Sequence, residues 1–307
     1  MKKINNHFSF LAIGKTQESK EAGEGFKRYV GLASSYVLAV NPSKKELDEL
    51  RGFESQNEPE YVKEGENGKE VHINFLVKTD ADQNNGIEII NQLMFTLRQA
   101  PAYNRDETKV QVIDQYGNTT WANAEDAKAG KKLLSSSGTP LKIDDKYRMA
   151  CVGEADLVGF LKKYLCVQDV FNYVNGAWVK KEHPEDYVFG LEHIKDYFNG
   201  DFKELREALA LQPNNKVKLL YGVRTSDEGK QYQAVAARED LILSNSAGSN
   251  AIAKLESRLA EMKSNGSFPS TEFKVQKLAE YDVQATNLDA PSSAKGSEDT
   301  SGDMPWD

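Results

Sequence analysis

Two stretches in which polar and apolar residues alternate around a glycine-bearing turn constrain this chain more than anything else in it. The first runs Lys109-Val-Gln-Val-Ile-Asp, then Gln-Tyr-Gly-Asn, then Thr-Thr-Trp-Ala122. Gly117-Asn118 suits a tight β-turn between two β-prone runs, so the pattern predicts an antiparallel hairpin. The second, Lys216–Thr225 and Lys230–Arg238 around Ser226-Asp-Glu-Gly229, predicts another.

The remaining chain reads as further short strands with few helices. Tyr29–Asn41 is rich in β-branched, aromatic and small apolar residues and predicts a strand. Ser43-Lys-Lys-Glu46 has the spacing of a capping box and Gly52 a stop, which predicts a helix over 44–51. Segment 53–69 reads as an acidic loop. Val71–Thr79 alternates, 80–86 is a turn, and Ile87–Gln99 resumes as a strand. Ile90, Leu93, Met94 and Leu97 also fit helical spacing there. Residues 123–145 predict a flexible excursion, Tyr147–Val152 a strand, and Glu154 to Leu165 a helix. The aromatic-dense segment 168–199 has no clear assignment. A helix at 201–211, an amphipathic helix at 250–263 and a last strand at 273–283 complete the reading.

About eight strands not interleaved with long helices predict a β-rich α+β chain, and a small closed β-barrel with insertions fits best. The expected organisation is a mobile arm at 1–25, a core at 26–285 and a tail at 286–307. The tail carries five acids (Asp289, Glu298, Asp299, Asp303, Asp307) against Lys295, with small polar residues between, so it is expected to be disordered. It closes on Met304-Pro305-Trp306-Asp307. An acidic arm ending in a bulky apolar plug suits a partner with a basic rim and an apolar pocket, with Asp299, Asp303 and 304–307 as the contact.

Totals narrow the function. Net charge is −8, of which the tail supplies −4, so an acidic total does not exclude a basic groove on the body. No apolar run approaches the ~20 residues of a membrane helix, and the start lacks the pattern of a signal peptide. Two cysteines in 307 residues predict a reducing compartment, the cytoplasm, without a disulfide framework. Phosphate-binding, dinucleotide, metalloprotease and hydrolase-elbow motifs are absent. Cys151, Cys166, His183 and His193 match no compact zinc module, so no metal or other cofactor is expected. The acid groups Asp144/Asp145 and Glu182/Glu185/Asp186 read as solvated charge. No enzyme activity is expected.

The second hairpin places Val217, Leu219, Tyr221 and Val223 on one face and Lys216, Lys218, Leu220, Gly222 and Arg224 on the other. A strand with one cationic face suits a groove that tracks a phosphate backbone, and Lys230, Tyr232 and Arg238 extend it. The first hairpin offers Lys109, Gln111, Tyr116 and Trp121. Bases stack on such aromatics without regard to sequence.

With these residues in place the chain resembles the bacteriophage single-stranded DNA-binding proteins. Lys109–Trp121 resembles the strand–turn–strand of their OB-type barrel. Gly153-Glu-Ala-Asp-Leu-Val-Gly-Phe-Leu161, then Tyr221-Gly-Val-Arg224 and Tyr232-Gln-Ala-Val235, follow a similar order, and the acidic tail is similar to their acidic tip. The likeness spans about 70–307. It implies an OB-type barrel with helical insertions in a non-catalytic protein of replication, recombination and repair, acting in the host cytoplasm. Such a protein coats single-stranded DNA and recruits polymerase, primase-helicase or nuclease through its tail, which folds back on the groove when DNA is absent. Asp307 after Trp306 departs from bacterial tips, which end on the aromatic residue, and favours a phage-encoded partner. A strand-annealing protein that oligomerises on DNA is the alternative, and a metal-dependent nuclease a more distant one.

Overall fold

Residues 27–284 are described by the computed structural model, apart from 53, 55–56, 66–67, 166–170, 176, 184–193, 211–213 and 279–281. The expected N-terminal arm and acidic tail lie outside the described residues. In chain order, β1 (Lys27–Tyr29) and β2 (Gly31–Val40) lead into α1 (Lys44–Arg51). Next come β3 (Val62–Gly65), β4 (Gly68–Thr79), β5 (Ile90–Pro101), β6 (Lys109–Asp114), β7 (Thr119–Asn123) and α2 (Ala124–Lys128). The middle holds β8 (Tyr147–Met149), β9 (Cys151–Val152), α3 (Glu154–Tyr164), β10 (Phe171–Val174) and β11 (Ala177–Lys180). Then follow α4 (Ile194–Tyr197), α5 (Lys203–Ala210), β12 (Val217–Thr225), β13 (Gln231–Val235) and β14 (Leu243–Ser244). The last elements are α6 (Ser249–Ser264), β15 (Thr271–Phe273) and β16 (Asp282–Gln284).

Local signals become local structure where hydrogen bonds leave no alternative. Ser43 Oγ accepts the Glu46 amide at 3.3 Å and Glu46 Oε2 accepts the Ser43 amide at 2.7 Å, so the capping box starts α1 where expected. Both predicted hairpins form, β6 with β7 and β12 with β13. Residues 87–99 resolve to strand rather than helix, because β5 pairs along β4 from Lys78↔Ile90 to Glu70↔Arg98. That ladder buries Ile73 opposite Phe95 and Phe75 opposite Leu93.

Other expectations change. Segment 53–69 is not all loop: Val62–Gly65 pairs with the start of β4. The excursion at 123–145 contributes α2 and the buried Leu133 to a small core under β6 and β7. Tyr147–Val152 splits between two sheets, β8 on β6 and β9 on β5. In the unassigned aromatic segment, β10 and β11 form a two-stranded hairpin. The expected last strand is two short ones, β15 and β16, with different partners.

Every ladder between the described strands is antiparallel. The main sheet has nine strands with the path β13-β12-β2-β4-β5-β9, onto which β3, β14 and β15 add. It curls enough to bring β13 within 8 Å of β5 between Cα atoms, yet no ladder joins them. The closed barrel expected from the sequence is therefore not formed among the described residues. The end of that β5 edge, at Arg98 and Pro101, pairs with β9 instead.

The principal core lies inside this curl, where β2, β4, β5 and β12 meet Leu157, Phe160, Leu161 and Tyr164 of α3. A second core fills the opposite face of β12, where Leu220 meets Leu255, Leu259 and Met262 of α6 and Phe273 of β15. Gly153 seats α3 on β5: at φ +84° its missing Cβ would stand 2.1 Å from the Thr96 carbonyl oxygen. No helix among the described residues is long and apolar enough to cross a membrane.

Candidate functional site

A cleft of ≈930 Å³ opens between the turn of the first hairpin, α3, the β10–β11 hairpin and the segment around Ser244. Lys142, Lys162, Lys163 and Lys181 line it, with Asn118, Thr119, Thr120, Asn172, Ser244 and Ser246 between them. Among the described lining residues Glu239 is the only acid. Four ammonium groups, hydroxyls and amides in one open cleft make a surface suited to a polyanion.

Each wall has a structural cause. Asp114 knits the hairpin turn: its Oδ1 accepts the amides of Tyr116 and Asn118, both at 2.9 Å. Its Oδ2 accepts Asn118 Nδ2 and the Asp144 amide, also at 2.9 Å. Lys162 Nζ then reaches Asn118 Oδ1 at 3.1 Å and ties α3 to that turn. One helical position on, Lys163 Nζ donates to the Glu239 carbonyl at 2.6 Å. Gly159 lets the 239 segment close on α3, since a Cβ there would stand 1.8 Å from Glu239 Cγ. The Glu239 amide donates to Asp156 Oδ1 at 2.9 Å, while burial pushes the Asp156 carboxyl above its ordinary range. Glu154 is fully buried and bound by the Arg148 guanidinium, with the Cys151 amide at 2.9 Å, which fixes the start of α3 against β8.

The β10–β11 hairpin is anchored by charge. Lys180 pairs with Asp144 and lies 5.5 Å from the Tyr116 ring centroid, and Lys142 sits 5.2 Å over the Trp178 ring. Burial alone would raise the Asp144 carboxyl, but the Lys146 amide and the Lys180 ammonium outweigh it and hold it below the ordinary value. The reading of Asp144 as solvated charge is thereby corrected: the residue is buried and paired, while Asp145 is exposed.

The two hairpins fare differently. In the first, Lys109, Gln111 and Trp121 share one face of the β6–β7 pair, with Gln111 opposite Trp121. Trp121 is 44% exposed and follows directly on Thr119 and Thr120 of the cleft wall. Tyr116 is 8% exposed and packs on Phe171, so it is a wall residue rather than an open stacking surface.

In the second hairpin, Tyr221 is fully buried, its hydroxyl 3.0 Å from Ser35 Oγ, and burial pushes its pKa up. It is a core residue, which corrects its assignment as a base-stacking surface. The expected cationic face is covered rather than open. Leu220 lies under α6, and a Cβ at Gly222 would stand 2.4 Å from the Glu272 carbonyl oxygen. Lys216 pairs with Asp80 at 2.6 Å, and Lys218 donates to the Ala247 carbonyl at 2.7 Å, bracing the segment that carries Ser244 and Ser246. Lys230 pairs with Glu228 at 2.9 Å, and Arg238 is tied to Asp240 at 3.0 Å. Arg224 is exposed and opposite Tyr232, at the far end of β12, about 20 Å along the strand from Lys218.

The sequence reading thus found the first hairpin and missed the four cleft lysines and Trp178. Lys162-Lys163 follow the apolar stripe of α3, and Lys180-Lys181 follow Trp178, a basic and aromatic interleaving that was legible.

Cys151 is a free thiol whose pKa burial pushes up, which suits packing rather than reactivity. Among the described residues no group of three or more His, Cys, Asp or Glu side chains is placed to hold a metal ion, and Cys166 and His193 lie outside them. The tail residues Asp299, Asp303, Met304, Pro305, Trp306 and Asp307 also lie outside. No protein-family model, curated protein or solved structure matches the chain.

Proposed function

We propose that this chain is a sequence-nonspecific single-stranded DNA-binding protein, with no catalytic role, whose lysine-lined cleft tracks the phosphate backbone. The observation that carries the reading is the convergence of Lys142, Lys162, Lys163 and Lys181 on one cleft. Phosphate contacts need such cations, and exposed tryptophans beside them supply stacking for bases that only a single strand presents. Trp121 and Trp178, 44% and 38% exposed, belong to the two hairpins that contribute Thr120 and Asn172 to the cleft wall. The curled antiparallel sheet is compatible with an opened OB-type arrangement. The acidic tail, ending Met304-Pro305-Trp306-Asp307, serves as the hook for replication proteins and as a competitor for the cleft when DNA is absent.

The test is binding of a fluorescent single strand of about 30 nucleotides, several site sizes long, against the same sequence as duplex. It is run across a salt series with the full chain and with a chain ended after Asn287. Preferential single-strand binding that weakens with salt, and that tightens without the tail, supports both parts of the proposal. Absence of single-strand binding by either chain at low salt rejects it.

A further inference from the structure

Resting on the single-strand reading above, we infer that a smaller cavity next to the cleft takes one unstacked nucleobase from the bound strand. The cavity measures ≈230 Å³ and lies between the β10–β11 hairpin and the segment 132–147. Pockets for drug-sized ligands start at about 300 Å³, so this one suits a single heterocycle. Phe171, Tyr147 and Trp178 give it aromatic walls.

Its polar groups select a base over a phosphate. Asp144 and Asp145 line it together with Lys132 and Lys180, and Lys180 is paired with Asp144. The described lining therefore carries no cationic excess to draw in a phosphate, while its carboxylates accept hydrogen bonds. Asp144 already accepts the Lys146 amide at 3.0 Å and the Lys180 ammonium. Asp145, exposed and also in the cavity lining, is a second carboxylate able to accept from an entering N–H edge.

The cavity and the cleft share a wall. Phe171 borders both, Lys180 borders the cavity, and Lys181, the next residue, borders the cleft. Lys142 belongs to the cleft and sits over the ring of Trp178, which belongs to the cavity. A backbone held by Lys142 and Lys181 therefore passes the cavity mouth, where one base turns out of the stack.

A single strand carrying 5-bromouracil, irradiated on the wild-type full chain and mapped by peptide mass spectrometry, tests this directly. Adducts on Trp178 or Tyr147 are expected. Adducts confined to Trp121 and the cleft overturn the pocket while leaving the single-strand reading intact, whereas a strand that does not bind at all overturns both.

The variant Trp178→Ala adds a second readout. It is expected to weaken single-strand binding at least about fivefold and to leave the salt slope unchanged, because no charge is removed. Unchanged affinity overturns the inference. So does a slope that falls with the affinity, because that pattern means the hairpin and its lysines were lost rather than a stacking surface.

Discussion

The two hairpins look alike as sequence and end in opposite environments. Both alternate around a glycine-bearing turn, and both carry lysines and a tyrosine or tryptophan. The β6–β7 hairpin is covered on one face by α2 and Leu133, leaving Lys109, Gln111 and Trp121 on the other. The β12–β13 hairpin belongs to the long sheet, with α3 facing one side of β12 and α6 the other. Alternation reports only that one face is apolar. What covers the second face depends on elements far away in the chain, and β12 is covered by residues 249–273.

Exchanging the same kind of residue between the hairpins gives the largest expected contrast. Tyr221→Ala leaves a cavity in the principal core and removes the tyrosine partner of the Ser35 hydroxyl, and should cost about 3–5 kcal/mol in urea denaturation. Trp121→Ala removes a half-exposed ring and should cost under about 1 kcal/mol, while weakening single-strand binding about fivefold or more. Equal stability losses at the two positions would erase the distinction between a core hairpin and a surface one.

A smaller effect sharpens the picture at the cleft. Glu239 contributes the negative charge among the described lining residues, so Glu239→Gln should tighten single-strand binding about two- to fivefold at low salt. The gain should vanish at high salt as the charge is screened. A gain that survives high salt would point to a rearranged loop instead.

The smallest effect is a pH dependence of the β10–β11 anchor. The Asp144 carboxyl is held below its ordinary value of 3.8 in the folded chain. Its contribution is therefore present above that value and lost as pH falls through the depressed one. Hydrogen exchange at the β10 and β11 amides should accelerate as pH drops below 3.8, beyond the intrinsic rate change and ahead of the β4–β5 amides. Simultaneous loss in both places would show that Asp144 does not anchor that hairpin separately.

How much was legible follows from the range of the interactions. The α1 capping box, the strand pairs at both hairpins and the shared face of Lys109, Gln111 and Trp121 depend on residues within fourteen positions of one another. The cleft does not. Lys142, Lys162, Lys163 and Lys181 come from a loop, a helix and the end of a hairpin, and Lys162 reaches Asn118 across 44 residues. Asp144 read as a loop acid because its partner Lys180 is 36 residues away. Counting strands predicts a closed barrel but does not reveal which edges pair, and β13 approaches β5 without a ladder.

The central claim is that the cleft beside the first hairpin, and not the cations of the second, holds the phosphates. The most direct test is the salt dependence of single-strand binding for two double variants, Lys162→Ala/Lys163→Ala and Arg224→Ala/Lys230→Ala. Loss of two phosphate contacts should reduce the slope of log affinity against log salt by about 1.4 in the first variant, with the wild-type slope retained in the second. A slope unchanged in the first and reduced in the second would contradict the account.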